Sequence, residues 1–168
     1  MKEKSKTINN SNSTNNEDSS FNSNGSSQVK KSKKLIIATG SFDAQKLMAM
    51  SELKYYKKNK NTVKFISLAK LYAEKYFMTD ELSLNEVTTD FYKLTDNKDN
   101  LALAEKWAEH CCDLEDNYYN NDLYAHVLAK EGKKDEAIKA ANKAIDIGNK
   151  TGDDITSTED LLKSLIGN

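Results

Sequence analysis

Arginine and proline are both absent from the 168 residues, glycine is held to six positions, and the 25 basic side chains are all lysine. Arginine's planar fork suits bidentate contacts to phosphates and bases, so its absence argues against a dedicated nucleic-acid reader. The formal net charge of -1 adds no overall attraction to a polyanion. Without proline, and with little glycine, the chain lacks the stops that divide short strands, and long helices are expected. Long apolar runs are missing too. The longest near the amino end is Leu35-Ile36-Ile37-Ala38, far short of the ~20 residues that cross a bilayer. Residues 1–10 are polar and charged, unlike an export signal, so a cytoplasmic location is expected.

The short catalytic signatures are equally scarce. The chain has no Gly-rich phosphate loop, no G-x-S-x-G elbow and no HExxH pair. Its two cysteines, Cys111 and Cys112, are adjacent, which on a helix points their side chains about 100° apart and disfavours a mutual disulfide. With His110 and His126 they supply metal-ligand atoms, but they lack the CxxC spacing that presents two thiolates to one zinc. His110 precedes Cys111 on the same helix and is poorly placed to act as its base. The acidic groups Asp113, Glu115, Asp116, Asp153 and Asp154 do not alternate as calcium-loop ligands do. No catalytic residue, metal or cofactor is assigned.

What remains is a polar tail and a helical body. Residues 1–34 are rich in Ser, Asn and Lys, with Ile8, Phe21 and Val29 as isolated apolar positions, too few to offset the entropy of ordering. A disordered tail is expected there. It ends in Lys30-Lys31-Ser32-Lys33-Lys34, either a solvated linker or an electrostatic tether to an acidic partner, anionic lipid or nucleic acid.

From Phe42 onward, apolar residues recur at helical spacing between short polar clusters and predict seven helices. The first, about 43–58, carries Leu47, Met50, Leu53 and Tyr56 behind a Gly40-Ser41 break. The second, about 62–77, carries Phe65 or Ile66, then Ala69, Tyr72, Ala73 and Tyr76. The third begins at a capping box, Ser83 with Glu86, and continues through Leu84, Val87, Phe91 and Leu94. The fourth, about 100–114, shows Leu101, Ala104, Ala108 and Cys111 with Trp107 beside them. The fifth, about 121–131, carries Tyr124, Ala125 and Leu128. The sixth, about 135–147, carries Ala137, Ile138, Ala141, Ala144 and Ile145. The last starts at a second box, Thr156 with Glu159, and bears Leu161, Leu162, Leu165 and Ile166.

The positions Tyr124-Ala125, Leu128, Gly132, Ala137, Ala141 and Ala144 resemble the tetratricopeptide repeat pattern. Small residues let two antiparallel helices approach, and Gly132 can adopt the left-handed conformation that closes the first of them. Thirty-three residues before Ala137, Ala141 and Ala144 stand Ala104, Ala108 and Cys111, again small. Asn121 stands at the family's Trp position, and Gly148 lies near where the family has Pro. The resemblance implies an all-α fold of antiparallel helix hairpins stacked as a short solenoid within residues 35–168. Its repeats fall at about 84–116 and 117–150, with a possible divergent hairpin at 43–77 and a capping helix at about 156–166.

A narrower resemblance links residues 80–166, including Leu84-Asn85-Glu86-Val87 and the run from Tyr118 to Ala125, to the helical tail of certain bacterial thioredoxin-like proteins. Residues 34–58 resemble a remnant of the final strand and helix of the redox domain in those proteins, but the active-site CxxC and cis-proline are missing. The repeat register implies a concave groove lined by Tyr119, Asp122, Leu123, His126, Ala129 and Lys130. Some family members clamp a terminal carboxylate with Lys and Asn, where this chain has Asp122 and His126. The expected function is a non-catalytic scaffold that binds a peptide or helix of another protein in that groove. Two alternatives stay open: an accessory or relic of a thioredoxin-like system with Cys112 as a redox-sensitive thiol, and tethering through the lysine cluster.

Overall fold

A computed structural model describes residues 30–31 and 40–167 of the chain. The expected disorder of residues 1–34 and the start of the strand-and-helix remnant expected at 34–58, through residue 39, thus lie outside the described residues, apart from Lys30 and Lys31, which are helical and exposed. The described body is all helical. Seven helices follow one another: α1 Phe42–Lys58, α2 Thr62–Tyr72, α3 Glu81–Lys93, α4 Lys98–Leu114, α5 Tyr118–Glu131, α6 Lys134–Thr151 and α7 Thr156–Ile166. Between α2 and α3 the backbone widens into a π turn, Ala73–Phe77, where simple periodicity predicts a continuing α-helix.

Short polar side chains set most of the helix starts by accepting the backbone amide three residues on. Ser41, Asn61, Asp80, Asn97 and Asn117 do this for α1 to α5 in turn. The expected box at Ser83 is therefore one turn late. Asp80 takes the Ser83 amide at 3.3 Å and the Ser83 hydroxyl at 2.7 Å, while Glu86 reaches across to Lys54 at 3.1 Å. The second expected box shifts as well. Thr156 is the first residue of α7, and Asp154 accepts both its amide, at 3.0 Å, and its hydroxyl, at 2.6 Å. Likewise α4 and α5 begin earlier than 100 and 121, because Asn97 and Asn117 cap them.

Helix ends follow the glycines. Gly132 closes α5 at φ +83° and Gly152 closes α6 at φ +81°, a conformation in which any side chain is strained. The sixth helix thus runs past the expected end at 147. Gly148, in its interior, is buried because Ile155 and Tyr118 press against the backbone where a Cβ would stand.

Most of the apolar stripes read from the sequence face inward. Phe65, Ala69, Tyr72, Ala73 and Tyr76 are buried on α2 and the π turn, so Phe65 rather than Ile66 heads that stripe. The six small positions at 33-residue spacing, Ala104, Ala108, Cys111, Ala137, Ala141 and Ala144, are all 0% exposed. Two positions depart from expectation. Leu47 is 70% exposed and Ile166 is 64% exposed; on α1 the buried places are Leu53, as expected, with Ala49 and Glu52, the last accepting the Tyr72 hydroxyl. Trp107, 2% exposed, joins the core against Phe91 with ring centroids 4.9 Å apart.

The core has two parts that meet at α5. One runs from α1 to Leu123 and Val127; the other joins Ala125 and Leu128 to Ala137, Ala140 and Ala141 of α6 and to Leu161, Leu162 and Leu165 of α7. Polar pairs between helices give the relative direction of the elements. Lys46, Lys54 and Lys57 of α1 meet Asp80, Glu86 and Asp90 in that order, at the cap and along α3. Asn85 and Tyr92 of α3 meet Asn120 and Lys130 of α5, and Glu105 and Asp116, on and just after α4, meet Lys133 and Lys143, at the start of α6 and along it. Residue numbers rise together in each of these sets, so α3 runs in the same direction as α1 and as α5, and α6 in the same direction as α4. Exposed pairs of this kind add little stability, and their value here is geometric.

Candidate binding cleft between α3 and α5

The parallel placement of α3 and α5 leaves a cleft of about 290 Å³, lined by Asn85, Thr89, Tyr92 and Lys93 from α3, Tyr119, Asp122, Leu123 and His126 from α5, and Ser157 from α7. Four of the six residues expected to line a groove are brought together here. They occupy positions i, i+3, i+4 and i+7 of α5, one helical stripe. The other two are not in the wall. Lys130 instead donates to the Tyr92 carbonyl at 2.9 Å and pairs with Asp96 at 3.1 Å, placing its charge at the carboxyl end of α3, where the helix dipole favours a cation. Ala129 packs against the second core.

Asn120 fixes the α5 wall. Fully buried, it donates to the Cys111 carbonyl at 3.1 Å and the Glu115 carbonyl at 2.9 Å, and it accepts from Asn85 at 2.6 Å. One amide thus satisfies the end of α4 and holds α3 at a set distance from α5. Its neighbour Asn121 is 2% exposed and donates to Asp116 at 2.8 Å and the Asn117 carbonyl at 2.7 Å.

At the floor lies a polar relay. The Thr158 hydroxyl donates to Asp122 Oδ1 at 2.6 Å. Its single proton is then committed, so Tyr118 is the donor in the 3.0 Å contact between the two hydroxyls. His126 Nε2 stands 3.4 Å from the same Asp122 oxygen and 3.3 Å from Ser157 Oγ. Burial acts to raise the Asp122 pKa, but the bonds from His126 and Thr158, with the positive charges of His126 and Lys93, outweigh it and hold the carboxyl below its ordinary value. Tyr92 is pushed up to about 12 by burial and by the Asp122 charge. The cleft therefore presents an ionised carboxylate beside a neutral phenol.

The remaining candidates stand elsewhere. His110 Nε2 donates to the Met78 carbonyl at 2.8 Å and secures the end of the π turn. Cys111 is buried and Cys112 half-buried, both unbridged. Burial pushes the Cys112 thiol up to about 11, away from the thiolate that redox chemistry uses. Among the described residues no three His, Cys, Asp or Glu side chains are grouped to hold a metal ion, and no helix is long and apolar enough to cross a membrane. Of the lysine cluster, residues 32–34 lie outside the described residues.

The residues that the sequence did not single out are those of α3 and α7. Each is an ordinary polar or aromatic residue whose role depends on which helix lies beside it. Comparisons with family models, curated proteins and solved structures return no match for this chain.

Proposed function

We propose that this chain is a non-catalytic scaffold of stacked, tetratricopeptide-like hairpins that binds a peptide or helix of a partner protein in the cleft between α3 and α5. The observation that carries the reading is the cleft itself. Its walls are aromatic and polar side chains on two rigid parallel helices, with apolar Leu123 at its floor. Ligand sites are commonly built this way, a mostly preformed concavity with a few placed polar groups. The register of the inter-helix pairs and the burial of small residues at 33-residue spacing support stacked hairpins. The raised Cys112 thiol gives no support to the redox alternative.

Selection of peptides from a displayed random library against the full chain, followed by amide hydrogen exchange, tests the reading. Bound peptides are expected to slow exchange in the stretches of α3 and α5 that hold Asn85, Tyr92, Asp122 and His126. Protection confined to other helices, or no selected peptide at all, would overturn it.

A further inference from the structure

We infer that the cleft takes a basic side chain of the partner, a lysine ammonium or arginine guanidinium, with Asp122 as its counter-ion and Tyr92 and Tyr119 as its walls. The inference rests on the peptide-groove reading above and adds the chemistry of the residue that enters.

Asp122 is the starting point. Both its hydrogen-bonding neighbours, Thr158 and His126, address Oδ1. Among the described residues Oδ2 accepts no hydrogen bond, and the side chain is 22% exposed in the cleft wall. A carboxylate held in this way is positioned before any ligand arrives. Most of the surrounding wall is aromatic, apolar or polar without charge. Tyr92 and Tyr119 stand in the lining, and aromatic rings attract a cation electrostatically. At the rim the Tyr119 hydroxyl donates to Asp153 at 3.1 Å, which sets a second carboxylate nearby.

Lys93, in the same lining as His126, places its ammonium 5.8 Å from the centroid of the Tyr92 ring, and both side chains favour the ionised form of Asp122. Lys93 is exposed on the last turn of α3 and occupies the place a foreign cation would take. A partner lysine or arginine displaces a mobile surface ammonium and gains a counter-ion already fixed by two neighbours. An acidic partner segment would meet Asp122 and Asp153 instead. A purely apolar helix would cover Oδ2 of Asp122 without giving it a partner, which is costly.

Three pools of short fluorescent peptides test this, sharing one apolar frame and differing at a central position that is Lys or Arg, Glu, or Gln. Each is titrated into the full chain while fluorescence anisotropy and the imidazole resonances of His126 are followed. The Lys/Arg pool alone is expected to move His126. Asp122→Asn is expected to weaken that binding by roughly ten-fold or more, the effect of losing one charge-assisted bond. Lys93→Gln is expected to strengthen it, because the internal competitor is gone; this rim variant keeps the test valid if Asp122→Asn perturbs folding. Equal binding of the Glu or Gln pool in the cleft, or weaker binding by Lys93→Gln, overturns the inference and leaves the peptide groove standing. A cleft that responds to none of the pools overturns both.

Discussion

A thiol reacts as its thiolate, and both cysteines are placed where that form is costly. Burial pushes Cys111 up to about 12, helped by the negative charge of Glu81. For Cys112 burial is again the main cause, partly opposed by Lys143 and reinforced by Asp116, Asp113 and Glu109, and the thiol reaches about 11. Alkylation by iodoacetamide reads this directly. The rate at Cys112 in the folded chain is expected to keep rising as pH passes the ordinary thiol value of 9.0, and Cys111 is expected to react only on unfolding. A rate at Cys112 that levels off near neutral pH would restore the redox reading. Asn120 and Asn121 make the converse point. As letters they suggest a loop or a solvated helix start, yet both are buried because each amide finds carbonyl or carboxylate partners within reach.

Among the helices, the starting residue of α3 decides how its first turn is held. Asp80→Ala removes the acceptor of the Ser83 amide and the partner of Lys46, so a loss of about 1 kcal/mol is expected. Ser83→Ala removes only a hydroxyl that donates to Asp80, and a loss well below that figure is expected. Urea denaturation of the two variants separates them; a larger loss at Ser83 would move the helix start back to that residue. The error in reading this start has a simple origin. Ser83 and Glu86 satisfy the capping-box spacing, but Asp80 is also a capping letter, and spacing alone does not choose between them. The existence of all seven helices was legible because buried positions such as Leu84, Val87 and Phe91 recur at helical intervals. So was one wall of the cleft, since Tyr119, Asp122, Leu123 and His126 share a stripe of α5. The opposite wall, Asn85, Thr89 and Tyr92, was not, because nothing local in α3 says that α5 lies alongside it. Lys130 was drawn away for the same reason: its partners, the Tyr92 carbonyl and Asp96, belong to another helix and the turn that follows it.

At the scale of the whole molecule, α7 docks through an apolar face and through one ionisable group. Leu161, Leu162 and Leu165 seal the second core, and the relay from Tyr118 through Thr158 to Asp122 ties the helix start to α5. Asp122 has a folded pKa below its ordinary value of 3.8. Its ionised form therefore favours the folded chain, and the contribution is complete above 3.8 and disappears as pH falls through the lower folded value. Asp80 acts in the same direction: burial raises its pKa, but the bonds from Lys46 and Ser83 outweigh that and lower it. Glu131 acts in the opposite direction, because burial raises its carboxyl and thereby favours folding as it is protonated. Asp116 and Asp154, lowered by hydrogen bonds from Lys143 and from Thr156, act as Asp122 does, so several carboxyls share the acid response and only a comparison isolates one of them. Urea denaturation at about pH 6 and at about pH 3, in the native chain and in Asp122→Asn, provides it. The native chain is expected to lose more stability between the two conditions than the variant, which has no carboxyl at 122 to protonate, while Thr158→Val is expected to shrink the native chain's loss by removing the bond that prefers the ionised form. Equal losses in all three would show that the ionised Asp122 adds nothing to the stability of the folded chain.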